Sequence, residues 1–178
     1  MQDRSTTGVS VVEPVAPSAE EVKGALRRLA SSVAIITSHW NSRPMAMAAT
    51  AVNGLSLSPP SLLVCVNQAA ALYGALNDRA RFCVNILGQD HLELAQRCGG
   101  QVAGAERFST GAWGEDADGV PFLEDAQASL SCVCDDSLVY GTHGVFVGKI
   151  TSVRMHGEIA PLIYADARYC GASQTLQL

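Results

Sequence analysis

The sequence predicts a mainly β, α+β fold: an antiparallel barrel, closed or split, with a few peripheral helices. Three observations carry this. β-rich runs cluster toward both ends of the chain, helical periodicity is confined to three short stretches, and strands and helices do not alternate regularly. Regular alternation would indicate a doubly wound parallel sheet, so its absence beside many short strands favours antiparallel pairing. The count is about seven strands and three helices.

The elements follow in order. Ser18 and Glu21 form a capping box ahead of Val22, Ala25, Leu26 and Leu29, which recur at helical spacing. Gly24 costs this helix about 1 kcal/mol relative to Ala. "SVAIITS" (32–38) is a β-rich run, "NSRP" (41–44) a turn signal, and "MAMAATAV" (45–52) the returning arm of a hairpin. "SLLVCV" after the Pro59–Pro60 pair reads as a buried strand, "AAALYGALND" as a short helix and "ARFCVNIL" as another strand. "QDHLELAQRCGG" is a helix stopped by Gly99 and Gly100. Residues 99–121 lack periodicity and have the length of a lid or binding loop. Strands return at 128–135, 137–141, 144–155 and 161–169.

A chain of 178 residues, 48% hydrophobic and 16% charged, can fill one core. The expected organisation is a flexible tail over 1–18 and a single domain over 19–178. A net charge of −5, with Lys23 and Lys149 the only lysines, speaks against nucleic acid as a partner. No apolar run of about 18 residues predicts a membrane span. "MQDRSTTGVSVVEPVAPS" lacks the order of a signal peptide, so the expected location is cytoplasmic. Of six cysteines, Cys65 and Cys83 lie in apolar runs, and Cys132 and Cys134 have no second close pair, so no metal site is expected.

"YGTHGVFVGKITSV" (140–153) contains a Gly-Lys pair suggestive of a phosphate loop. The spacing fails: His143 stands where the first glycine belongs, and Ile150 follows Lys149 in place of Ser or Thr. The stretch also alternates as a strand, whereas a phosphate loop opens a helix. No Gly-x-Gly-x-x-Gly and no Gly-x-Ser-x-Gly occurs, which leaves Rossmann and serine-hydrolase sites without support. His39, His91 and His156 read as surface or hydrogen-bonded residues. Gly141-Thr142-His143 remains as a corner between two strands.

Over about residues 25–170, roughly four-fifths of the chain, the sequence resembles the short-chain flavin reductases. These are the small components that supply reduced flavin to two-component monooxygenases such as 4-hydroxyphenylacetate 3-monooxygenase. Five segments carry the resemblance in the family's order: "SSVAIITSHWNSRPMAMAATAVNGLSLSPPSLLVCVN", "RFCVNIL", "ERFS", "GTHGVFVGKI" and "PLIYADARY". It implies a flavin reductase-like split β-barrel that forms a homodimer and holds flavin near the subunit interface.

The resemblance further implies an enzyme that moves hydride from C4 of NADH to N5 of FAD, with FMN possible, and releases reduced flavin to a partner monooxygenase. Flavin contacts are implied from Met47, Ala48, Ala49, Thr50 and Ala51, chiefly through backbone groups and the Thr50 hydroxyl. Asn67, Gln68 and Ala70 occupy the matching turn, and Asn85 and Phe108 are further cofactor candidates. His143 resembles the histidine that faces the nicotinamide, and Tyr169 the closing-segment aromatic of the same pocket. The chain departs from the pattern at Ala46, Ala48 and Ala70, where Gly, Thr and Ser are usual. If two lost hydroxyls met the flavin phosphate, binding weakens about tenfold to a hundredfold. A flavin-retaining oxidase or electron carrier, or a non-enzymatic flavin-binding module, is the alternative on the same fold.

Overall fold

The computed structural model describes residues 16–172. Residues 1–15 of the expected tail and 173–178 at the end of the expected domain lie outside the described residues. Helix α1 spans Ala19–Leu26 and opens with the anticipated capping box. The Ser18 amide donates to the Glu21 carboxylate at 2.8 Å, and the Glu21 amide donates to Ser18 Oγ at 3.3 Å.

A short β1 (Ser31–Ser32) precedes the hairpin of β2 (Ala34–Trp40) and β3 (Arg43–Ala49). Asn41 and Ser42, at φ 50° and 59°, form the two-residue connection between them. Positive φ at both turn residues is the I′ geometry that matches the twist of a hairpin, and Asn tolerates it well. The chain then forms β4 (Val52–Leu57), β5 (Pro60–Asn67), α2 (Ala71–Asn77) and β6 (Phe82–Ile86). After α3 (Leu92–Gln96) come β7 (Trp113–Glu115), β8 (Pro121–Leu123), β9 (Ala128–Tyr140), β10 (His143–Met155), β11 (Leu162–Ala165) and β12 (Arg168–Gly171).

Seven strands make one antiparallel sheet in the order β3-β2-β6-β9-β10-β5-β4. Its two edge strands, β3 and β4, are consecutive in the chain and joined by Thr50–Ala51. The Cys65 amide donates to the Ala51 carbonyl at 3.0 Å, fastening that link to β5. No ladder forms between β3 and β4 themselves, so the curled sheet stays split there.

Side chains alternate between two cores. Ala34, Ile36, Leu62, Val64, Phe82, Val84 and Phe146 fill the barrel interior. Val33, Ile35, Ala46, Leu87, Leu94, Cys98 and Leu162 form a second layer outside the sheet. The strand β2 is buried on both faces, which accounts for its unbroken apolar run.

Four expectations change in the structure. The run 45–52 breaks at Thr50–Ala51, and β4 is a strand of its own. The runs 128–135 and 137–141 are one strand, β9, because residues 135–140 extend beyond the core with both faces exposed and Asp135–Asp136 meet no burial cost. The run 161–169 is a hairpin bent at Asp166 and Ala167, both at positive φ. The helix expected over 89–100 is α-helical only at Leu92–Gln96, ending in a wide turn in which Gly100 reaches φ 129°. The irregular stretch 99–121 holds a 3-10 turn over Gly104–Phe108 and most of the β7–β8 pair.

The glycine of the false phosphate motif has a packing role. A Cβ on Gly148 would lie 2.5 Å from Cζ of Phe82, a side chain 1% exposed in the barrel core. Replacing Gly148 with Ala is expected to lower stability by about 1–3 kcal/mol through overpacking. Urea titration of both proteins checks this, and an unchanged midpoint refutes it.

Candidate functional site

The β2–β3 turn determines which backbone groups of β3 are available. In a two-residue hairpin the flanking residues, Trp40 and Arg43, exchange hydrogen bonds, and bonded pairs then recur every second residue. Met45, Met47 and Ala49 therefore direct their N–H and C=O groups at β2. Pro44, Ala46 and Ala48 direct theirs away from the sheet, and Pro44 has no N–H to leave unpaired there. The Ala46 carbonyl bears this out, accepting from Nη1 of Arg107 outside the sheet.

This parity separates the residues expected to contact flavin by what their backbone offers. Met47 and Ala49 turn their side chains against the barrel core and their backbone toward β2, so neither presents a polar group at the edge. Ala48 does, and its methyl is small enough for a ligand to approach closely. Thr50 and Ala51 line a cleft of about 750 Å³ beside Tyr164, Lys23, Arg27 and Asp166. The Ala51 carbonyl is already taken by Cys65.

Around Ala48 the outer layer brings several elements together. A Cβ on Gly99 would lie 3.6 Å from the Tyr169 hydroxyl and 3.9 Å from Cβ of Ala48, which places these three residues side by side. Tyr169 packs edge-on against Tyr164 with centroids 5.1 Å apart. Burial, with Tyr164 second, pushes its phenol above the ordinary value, so it is a neutral hydrogen-bonding group at neutral pH. Phe108 joins the same layer, edge-on to Trp113 at 5.0 Å.

A second group gathers where β5 meets β10. His143 lies opposite Asn67 in the ladder. The Gln68 amide donates to the Thr142 carbonyl, and Gln68 Nε2 donates to the Gly141 carbonyl, both at 2.9 Å. Asn67 Oδ1 accepts from the Ala69 amide at 2.9 Å, locking the turn that leads to Ala70. Thr142 Oγ1 lies 2.9 Å from His143 Nδ1, which orients the exposed imidazole with Nε2 remaining for another partner. Ala70 is the N-cap of α2 and gives it no side-chain cap, the position where a serine would bond the helix amides. His143 and Tyr169, expected in one pocket, thus belong to separate groups in the single chain.

Asn85, expected among the flavin contacts, is built into the fold. It is 0% exposed. Its Nδ2 donates to the Ile35 carbonyl at 3.0 Å, and its Oδ1 accepts from the Leu123 amide at 2.8 Å and Ser129 Oγ at 2.9 Å. Its side-chain amide is spent within the fold and does not reach a ligand surface. Three cysteines are likewise closed off in the core: burial pushes the thiols of Cys83 and Cys132 up to about 12 and that of Cys98 to about 11, so these three remain protonated at neutral pH. Among the described residues no group of His, Cys, Asp or Glu side chains is arranged to hold a metal ion. No helix there is long and apolar enough to cross a membrane.

Sequence reasoning missed Gly99 and Tyr164, whose proximity to Ala48 and Tyr169 arises only in the folded chain. It also missed a second cleft, of about 580 Å³, next to Met45 and Ala46, where Trp40, Arg43 and Arg107 meet.

Known proteins resemble this chain in sequence and in fold. Residues 26–173 match the family model described as a flavin reductase like domain. The chain is 39% identical over 150 residues to the reductase component of the FADH(2)-dependent resorcinol hydroxylase of Rhizobium sp. (strain MTP-10005), covering 83% of this chain and 84% of that protein. It is 37% identical over 156 residues to the FMN reductase (NADH) RutF of Variovorax paradoxus (strain S110), covering 88% and 86%. Among solved structures, the flavin reductase component BorF of a bacterial two-component tryptophan halogenase superposes with a TM-score of 0.80 at 26% identity, over 89% of this chain and 100% of that one.

Replacing Asn85 with Ala leaves at least the buried Leu123 amide and Ile35 carbonyl without this partner. The expected cost is about 2–4 kcal/mol. Flavin affinity of the folded variant should stay within about twofold of the parent, a difference well under 1 kcal/mol. Denaturation and flavin titration read the two effects separately. A large loss of affinity at unchanged stability would return Asn85 to the binding site.

Proposed function

The chain belongs to the flavin reductase-like family, and from that premise we propose that it is an NADH-dependent flavin reductase whose product is diffusible reduced flavin for a separate monooxygenase. FAD is the acceptor favoured, with FMN a second. The resorcinol hydroxylase component supports FADH2 as product, and the RutF relative supports NADH as donor. The single observation carrying the reading is the backbone of Ala48, without a hydrogen-bond partner among the described residues, at the split edge of the sheet beside Gly99 and Tyr169.

The redox chemistry belongs to the two ligands: hydride leaves the nicotinamide and is accepted by flavin. The protein's task is position. Ala48 offers an N–H and a C=O side by side, a match for a flat heterocycle with alternating acceptors and donors. Thr50 supplies a hydroxyl past the strand end. His143, oriented through Nδ1 by Thr142, presents Nε2 to steer the nicotinamide amide, and the segment 99–121 covers the stack against water. The same proposal includes a homodimer that covers the exposed Leu138, Val139 and Tyr140 at the β9–β10 tip.

Weak flavin retention is part of the same reading, supported by the absence of a Ser or Thr hydroxyl at Ala48 and Ala70. Exhaustively desalted protein is expected to hold little flavin and to oxidise NADH at about 340 nm, the reduced-nicotinamide band, only after FAD or FMN is added. Absence of any flavin-dependent rate sinks the reductase reading, and stoichiometric flavin surviving desalting favours a flavin-retaining oxidase or carrier.

Replacing His143 with Ala should lower kcat/KM for NADH about tenfold, the loss of one orienting hydrogen bond plus misalignment. Flavin affinity should change little. Steady-state kinetics beside flavin titration test the assignment: loss of flavin binding with normal NADH kinetics contradicts it.

A further inference from the structure

The cleft at the start of β3 has no part in the reading above, yet its lining is selective. Met45, Ala46 and Leu72 give it an apolar lining, and Trp40 forms one wall. That indole is fixed: Nε1 donates to Asp78 at 3.1 Å, and the ring packs so close to Gly74 that a Cβ there would lie 3.0 Å from it. An indole held on one side and lining a cleft on the other is a stacking surface for a flat aromatic base.

The two cations of the cleft are Arg43 and Arg107. Neither forms an ion pair among the described residues, and no carboxylate lines the cleft. In a chain of net charge −5, two uncompensated guanidinium groups about one cavity favour an anionic ligand, phosphate above all for its bidentate fit. Arg107 is held by its own bonds: Nε donates to the Val102 carbonyl and Nη1 to that of Ala46, leaving Nη2 unbonded among the described residues. Arg43 is exposed and unbonded, able to close on a ligand.

Position identifies the ligand class. Ala46 lies two residues from Ala48 on the same strand, roughly 7 Å away. A molecule whose ring system docks at Ala48 and whose tail carries phosphates and a second aromatic ring would reach this cleft. We propose that the cleft of Trp40, Arg43 and Arg107 binds an adenosine diphosphate group, the arm that FAD and NADH carry and FMN lacks. The base stacks on Trp40 and the phosphates lie between the guanidinium groups. This rests on the flavin reductase reading and makes the cleft the element that discriminates between flavins or recognises the nucleotide donor.

ADP itself is the probe. Titrated into the wild-type protein, it should quench tryptophan fluorescence saturably, and Arg43→Gln should bind it about tenfold more weakly. Flavin titrations and NADH kinetics then identify the source of the arm. A loss of about tenfold for FAD with FMN within about twofold assigns the cleft to flavin, whereas a KM for NADH raised about tenfold at an unchanged FAD-to-FMN ratio assigns it to the donor. ADP that fails to bind at millimolar concentration, or that binds Arg43→Gln as tightly as the wild type, overturns the proposal. The reductase reading fails separately, by absence of flavin-dependent NADH oxidation, whatever ADP does.

Discussion

The two-residue turn at Asn41–Ser42 sets the register of β2 against β3, and that register determines what the outer edge of β3 can offer. With Trp40 paired to Arg43, every second residue of β3 is consumed by the sheet and every other one is left facing out. A turn one residue longer would exchange the two sets. Met47 and Ala49 would then present backbone groups at the edge, and bulky side chains would face the corner occupied by Gly99 and Tyr169. The small residues Ala46 and Ala48 suit this edge only in the observed register. Turn chemistry and site chemistry are thus one constraint, written in adjacent segments of sequence.

An exposed sheet edge invites pairing with another strand, and this one is managed along its length. Pro44 presents no donor, the Ala46 carbonyl is taken by Arg107, and the 3-10 turn at Gly104–Phe108 lies alongside. What remains open is the stretch beginning at Ala48. The layer covering the edge depends in turn on Asn85, which ties β2 to the segment at Leu123 and to Ser129 of β9. A buried amide with every partner in place fixes that geometry more sharply than an apolar side chain would, because any shift leaves polar groups unpaired.

Much of the fold was legible in the sequence. The capping box at Ser18, the turn at Asn41, the buried run of β2 and the strand character of 144–155 are local signals, and local physics decides them. The breaks at Thr50–Ala51 and at Asp166–Ala167 were not, because each depends on where the chain must turn to meet a distant strand. The continuity of β9 through two aspartates was hidden for a related reason: only the fold reveals that this part of the hairpin lies beyond the core. For the site, resemblance pointed to β3 but could not assign the parity of its backbone groups, and it included Asn85 because an asparagine that serves the core and one that serves a ligand look alike in sequence. Arg43, Arg107 and Trp40 carried no joint signal, since their meeting depends on the hairpin and the 3-10 turn closing on one another.

The position of Arg107 links these levels. Its side chain reaches from the irregular segment to the edge of β3, so a contact that protects the sheet also places a cation beside the open stretch. Lysine could donate to the same carbonyl, but its compact ammonium lacks the planar fork that bonds two carbonyls and keeps a further nitrogen in fixed orientation. The segment 99–121 is therefore not held by apolar packing alone. It is anchored at Ala46 by Arg107, so this segment and the cleft beside it share one guanidinium.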